Sequence, residues 1–244
     1  MFESRTYEAL LASALSRVAS PVDKREGSMV MNGVAPVEET GPEDRAELRA
    51  ALSIPPDTVV FGILARIEDY KGHLYLVHAA KLLKDQGRTG FRVLIAGTGS
   101  FQEEVARAVA ETGVEDVVRL LGFRADVAAL LNILDVQLNA SYGTEATSLA
   151  LLEGMSLGLP TIASDYGGNP WLVTDGDNGL LFPSRDSQSL ARAMARLMDR
   201  PEERREMGRR ARERFQTSFT GQVFAKNIEN VYQGVLKGDP HGRK

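Results

Sequence analysis

Between residues 58 and 199 short apolar runs alternate with segments of helical period, and no other feature narrows the folding choices of this chain as far. The runs are TVVFGILA at 58–65, FRVLIAG at 91–97, VVRLLG at 117–122, DVQLNA at 135–140, PTIAS at 160–164 and GLLF at 179–182. Near-continuous apolarity, without a polar face, marks strands buried on both sides. Helical segments fall between them, at 72–86, 101–112, 127–134, 147–157 and 187–199. The first has apolar residues at Leu74, Leu76, Val77, Ala80 and Leu83. Alternation at this length specifies a parallel sheet covered by helices on both faces. The expected fold is therefore α/β, a Rossmann-like doubly wound parallel sheet.

The flanks add to this unit. Residues 42–52 read as a helix with Pro42 in its first turn and Glu43 and Asp44 near its positive end. Two more helices, 201–216 and 220–236, follow the last strand, the first rich in arginine and glutamate. Residues 3–19 have the period of an amphipathic helix, and 21–27 form a polar linker. The expected division is an N-terminal helix and linker at 1–27, a ligand-binding Rossmann-like domain at 28–236 and a disordered tail at 237–244.

Composition removes several classes of chemistry. The chain has no cysteine, which excludes disulfides and thiolate catalysis and agrees with a reducing compartment. Its histidines, His73, His78 and His241, have no metal-ligand spacing. A net charge of −4 argues against a general nucleic-acid binder. No run approaches the roughly 18 apolar residues of a membrane span. There is no Gly-x-Ser-x-Gly and no Walker lysine motif. The 175–179 loop lacks the terminal glutamate of a calcium site.

What remains gathers at the carboxyl ends of the strands, where open α/β sheets bind ligands. The loop after 135–140 runs into a helix with Thr147 or Ser148 as N-cap, and free amides at such a start attract an anion. Glu145 precedes that turn and Glu153 lies within the helix. Carboxylates beside an anion site suit a ligand that also carries hydroxyls; the alternatives are a dipole-complementing acid and a solvated helix face. Arg66 and Lys71 bracket the loop after the first strand, where two cations suit a diphosphate or pair with Glu68 and Asp69. Gly97-Thr98-Gly99 begins like a dinucleotide fingerprint, but Gln102 stands where its third glycine belongs. Gly167 and Gly168 follow a further strand and permit close backbone approach.

Taken in order, Arg66, Lys71-Gly72, Gly97-Thr98-Gly99, Leu121-Gly122-Phe123, Glu145 and Glu153, Gly167-Gly168 and the segment 175–182 resemble the C-terminal domain of family 4 retaining glycosyltransferases, of the GT-B fold. Asn32-Gly33-Val34 resembles the turn into that domain, so the likeness covers residues 29–236. The resemblance implies an enzyme of hexosyltransferase type that takes an NDP-sugar, UDP- or GDP-linked, and needs neither cofactor nor metal. It implies Arg66, Lys71 and Glu145 as catalytic residues: the two cations on the diphosphate, the glutamate on the donor sugar. Backbone amides at Thr147, Ser148 and Leu149 would hold phosphate oxygens, and Glu153 the ribose. Gly97, Gly99, Phe123 and Arg124 would lie near the base. The implied acceptor is a glycan or a lipid-linked sugar in polysaccharide or glycoconjugate synthesis, and the implied location is the cytoplasm or the inner face of the cell membrane.

Two departures accompany the likeness. Trp171 stands where the motif after Gly167-Gly168 has a glutamate. The family's N-terminal domain, which supplies the acceptor site, has only the 1–19 segment opposite it, so the chain is expected to be a donor-binding half. Its partner would be a separate N-terminal-domain chain or a second copy; the other reading is a non-catalytic nucleotide-sugar-binding subunit or remnant. An uncovered cleft side exposes apolar surface, so self-association is expected. Sedimentation at high concentration checks this, and a strictly monomeric profile would count against it.

Overall fold

Six strands form where the apolar runs predict them, because each can be covered on both faces. The computed structural model describes residues 30–143 and 146–236, so the expected helix at 3–19, the tail at 237–244 and Glu145 lie outside the described residues. The strands are β1 (Val59–Leu64), β2 (Phe91–Ala96), β3 (Val118–Gly122), β4 (Val136–Asn139), β5 (Thr161–Ser164) and β6 (Gly179–Phe182). All pair in parallel, in the order β3-β2-β1-β4-β5-β6. Register runs from Val59 opposite Phe91 to Leu64 opposite Ala96. β4 and β5 are buried along their whole length, whereas β3, at an edge, is more open.

Alternate residues of the central strands feed two cores. Phe61, Ile63, Val93, Ile95, Val136 and Leu138 point to one face, under α2 (His73–Asp85), α3 (Gln102–Thr112) and α7 (Ser187–Asp199). Val60, Leu94 and Ala96 point to the other, where they meet Leu130, Leu131 and Ile133 of α4 (Val127–Ile133). The helix α1 (Pro42–Ala51) packs on α4. α5 (Leu149–Ser156) leans on α8 (Pro201–Ser218), whose buried stripe is Met207, Gly208, Ala211 and Phe215. The rest of α8 carries arginine–glutamate pairs one turn apart, such as Arg210–Glu206 at 2.9 Å. By its contacts the chain divides into two units, residues 32–221 and the two flanking ends; of the latter the helix α9 (Gly221–Leu236) is described.

Several boundaries differ from the sequence reading. The helix expected at 147–157 spans Leu149–Ser156, with Ser148 in the extended N-cap conformation. The charged stretch after β1 is not all loop: Asp69–Lys71 forms a 3₁₀ turn. Asn169–Leu172 makes a one-turn helix, α6, with Pro170 among its first residues. Both are single turns too short for a periodic signal to register. α8 runs to Ser218 because Phe215 and Phe219 are buried and hold its last turn.

α5 and β4 meet through one glycine. A Cβ on Gly154 would lie 2.0 Å from the side-chain oxygen of Gln137. Gln137 is buried, and its amide donates to the Leu151 carbonyl at 3.0 Å and the Thr161 hydroxyl at 2.8 Å. Alanine would raise helix propensity by about 1 kcal/mol. Against this, overpacking costs about 1–3 kcal/mol and leaving a buried amide unpaired about as much again. Gly154→Ala is therefore expected to destabilise the domain by about 2 kcal/mol or more, read as a lower urea midpoint. An unchanged midpoint would mean that helix and strand have room to spare at this contact.

Candidate functional site

The strand order reverses between β1 and β4, since the chain leaves β1 for β2 and β3 and returns to pair on the other side of β1. Connections from the two strands diverge there, and a crevice opens at their carboxyl ends. One part is lined by Ala65, Lys71, Asn139, Ser141, Ser148 and Ala150. A second, open recess of about 450 Å³ shares Leu64, Ala65 and Ala150 with it. The walls of that recess include Arg66, Gly97, Phe123, Arg124 and Glu153.

Each wall residue is placed by a local device. Gly72 follows the Asp69–Lys71 turn at φ 74°, and a Cβ there would lie 2.1 Å from the Ala140 carbonyl oxygen. Only glycine allows that approach, which brings Lys71 against the end of β4. Gly97, at φ 142°, passes so near the Ala65 carbonyl that a Cβ would be 2.0 Å from its oxygen. Gly99 is packed in the same way against Ile67, behind the wall and not on it. The start of the β4–α5 connection is fixed by buried polar groups. Asn139 accepts from the Ser141 amide at 3.0 Å, and Ser164 donates to the Ser141 carbonyl at 2.5 Å. Asn169 donates in turn to the carbonyl and hydroxyl of Ser164.

The charges have different surroundings. Arg66 is exposed and donates to the Tyr70 hydroxyl at 2.8 Å, with Glu68 4.0 Å away. Arg124 is held by Asp126 through contacts of 2.7 and 2.5 Å, so its charge is matched before any ligand arrives. The Asp126 carboxyl sits below its usual range because Arg124 donates to it. Glu153 is half-buried, and burial pushes its pKa up; among the described residues no side chain donates to its carboxylate. That leaves an acceptor facing the recess beside Phe123, which is 77% exposed. Among the described residues no side chain caps α5, and its first amides point away from the helix at Ser148. Thr147 and Leu149 lie either side of Ser148, Leu149 half exposed. Among the described residues no cluster of histidine and acidic side chains could hold a metal ion.

Cations at Arg66 and Lys71, the amides of a helix start, the Glu153 carboxylate and the exposed Phe123 ring thus lie on the walls of these two recesses. The fold belongs to the class of doubly wound α/β proteins, with the crevice at its switch point. Within that class the chain belongs to the glycosyl transferases group 1 family, whose pattern it matches over residues 44–214. It is 36% identical over 210 residues to a D-inositol 3-phosphate glycosyltransferase of Saccharomonospora viridis, covering 82% of this chain and 48% of the relative. Anabaena HepE, crystallised with UDP and glucose, superposes with a TM-score of 0.74 at 25% identity, over 81% of this chain and 54% of HepE. The C-terminal domain of a glycosyl transferase group 1 protein from Francisella tularensis superposes with a TM-score of 0.65 at 24% identity, over 76% of this chain and 95% of that domain, which shows the shared fold. The fold is that of the GT-B glycosyltransferases. The chain spans about half the length of the curated relatives it matches. Among the described residues no helix is long and apolar enough to cross a membrane.

The sequence pattern did not reveal Tyr70, Ser141 and Tyr142 as neighbours of the site; ordinary loop letters carry no signal for them. His73, the first residue of α2, is 1% exposed. Its pKa is pushed down to about 4, first by burial and then by the charge of Lys71, with the Glu68 backbone pulling weakly the other way. In standard geometry neither ring nitrogen has a hydrogen-bond partner among the described residues. The unfolded chain takes up this proton near pH 6.5 and the folded protein near pH 4. Stability is therefore complete above the first value and lost as pH falls towards the second, by up to about 3 kcal/mol. His73→Leu should flatten the urea midpoint between about pH 7 and pH 5. An equal loss in parent and variant would assign the acid sensitivity elsewhere.

Proposed function

We propose that the crevice binds a nucleotide-sugar donor and that the chain is the donor-binding half of a family 4 retaining glycosyltransferase. The observation that carries this reading is that the two recesses adjoin. Lys71 and Ser148 line one, and Arg66, Phe123 and Glu153 line the other, with Leu64, Ala65 and Ala150 shared between them. A diphosphate at the first and a nucleoside in the second match that order of charges. Arg66 and Lys71 take the diphosphate, with the amides of Ser148 and Leu149 on phosphate oxygens. Glu153 accepts from the ribose hydroxyls, and the base lies by Gly97, Phe123 and the Arg124 backbone. UDP in the crystallised Anabaena neighbour supports a uridine donor.

In transfer, the bond from the sugar's anomeric carbon to the diphosphate breaks, and negative charge grows on the leaving oxygen. Cations fixed beforehand at that position lower the barrier because they need not reorganise. The glycan or lipid-linked acceptor is assigned to a second surface facing the crevice, from another domain, another chain or a second copy. Phe123, Leu149, Tyr166 and Trp171, all exposed and all at the carboxyl edge of the sheet, support such a cover. The departure at Trp171 favours a second reading, a subunit that binds the nucleotide sugar without transferring it. Turnover assays with and without an acceptor-domain partner separate the two, since transfer in neither condition supports the binding subunit.

Calorimetric titration with UDP, GDP and ADP tests the donor site itself. One nucleotide is expected to bind saturably, and Lys71→Ala and Glu153→Ala to weaken it by about 10-fold each, the loss of one charge-assisted contact. A folded parent that binds none of the three would remove the donor reading.

A further inference from the structure

Arg185 lies in the short connection from β6 to α7 and has a φ of 65°, in the left-handed region that side-chain-bearing residues seldom adopt. The turn is tied down on both sides. The Asp186 amide donates to the Pro183 carbonyl at 3.1 Å, and the Ser184 amide to the Asp165 carboxylate at 2.8 Å. The Asp186 side chain caps α7 through the amides of Gln188 and Ser189. Held in this way, Arg185 reaches across the sheet edge from β6 towards β4, two strands away. Its guanidinium lies 4.3 Å from the centre of the Tyr142 ring. That is a close cation–π contact.

Tyr142 opens the β4–α5 connection and is gripped on its other sides by the segment that carries Lys71. Its amide donates to the Tyr70 carbonyl at 2.8 Å. Its hydroxyl faces the Asp69 carboxylate. Its ring meets that of Tyr75 edge-on, 5.8 Å between centres at 88°. Gly143 follows with no room for a side chain, since a Cβ would lie 2.6 Å from the Tyr70 Cβ. Asp69, Tyr70 and Lys71 form a single 3₁₀ turn, and the Tyr70 hydroxyl accepts from Arg66. Whatever holds Tyr142 therefore holds the start of the β4–α5 connection against the turn that carries Lys71.

We propose that Arg185 is a positioning residue for the donor site: it clamps Tyr142 from outside and so holds the start of the β4–α5 connection against the turn that carries Lys71. The functional half of this inference rests on the nucleotide-sugar reading above; the clamp itself does not. Arg185 lines neither recess, so its effect passes through Tyr142. A strained backbone angle kept for a side-chain contact is what such a role requires, because glycine would hold the same turn without strain.

That contrast supplies the test. Arg185→Gly relieves the left-handed strain and removes the clamp, so stability and site order should move in opposite directions. The melting temperature is expected to stay level or rise, while the Tyr142 amide exchanges about 3- to 10-fold faster in the unliganded protein and amides of β1 and β2 keep their protection. Affinity for UDP, or for GDP or ADP if one of those is the nucleotide bound, should fall by a similar factor. Arg185→Lys, which keeps the cation, should recover part of both losses. Tyr142→Leu should lose affinity in the same way, with no further loss when combined with Arg185→Gly. An unaltered Tyr142 amide in Arg185→Gly overturns the clamp, whatever the nucleotide data. Faster exchange with unaltered affinity overturns the positioning role. Faster exchange in Arg185→Gly, together with a parent that binds no nucleotide, leaves the clamp standing and removes the donor reading.

Discussion

The structure turns on the pairing of β1 with β4. Their parallel register is short, Phe61 opposite Val136 and Gly62 opposite Gln137, yet it joins the two halves of the sheet. It also decides where a ligand can sit. Connections from the two strands leave in opposite directions, so the carboxyl edge cannot close over the gap between them. Gly72 then brings the Lys71 turn up to the Ala140 carbonyl, at a distance no side chain would tolerate. The crevice is therefore a product of topology, and its narrowness a product of one left-handed glycine.

Around this point the protein uses apolar packing for the walls and polar networks for the loops. The two cores are built from alternate residues of the same strands, which explains why those strands read as unbroken apolar runs. At the strand ends hydrogen bonds take over. Asn139, Ser141, Ser164 and Asn169 form a buried chain from β4 through β5 to α6. Loops fixed by buried hydrogen bonds present their residues with little freedom, and a site for a charged ligand gains from that. α5, by contrast, has among the described residues no side chain on its first amides, so they are available to an anion.

The charged groups at the crevice are not equivalent. Arg124 is matched by Asp126 and contributes mainly shape, whereas Arg66 is open to water with Glu68 at the limit of ion-pair range. Glu153 is pushed towards its neutral form by burial and meets no donor among the described residues. A donor group of a ligand arriving there would meet a half-buried acceptor. Arg185 shows the same economy of contacts at longer range, acting on the site through a tyrosine rather than by direct approach.

The letters alone determined most of the sheet. Each strand falls within a residue or two of its apolar run, and GLLF and the helix Ser187–Asp199 were placed without error. Arg66 and Lys71 were legible as candidates because they follow a strand of a parallel sheet at its binding edge, Gly97 because of its glycine turn and Glu153 because of its helix after the β4 loop, whereas Phe123 and Arg124 came only with the family resemblance. Tertiary structure alone decided their company. It joined Glu153 to Phe123 across residues far apart in sequence, set Gly99 behind the wall, buried His73 and turned Arg185 onto Tyr142. Local periodicity reports which face of an element is apolar, but distances between loops depend on register, crossover direction and backbone angles such as the φ of Arg185. Those are fixed only when the whole sheet has assembled.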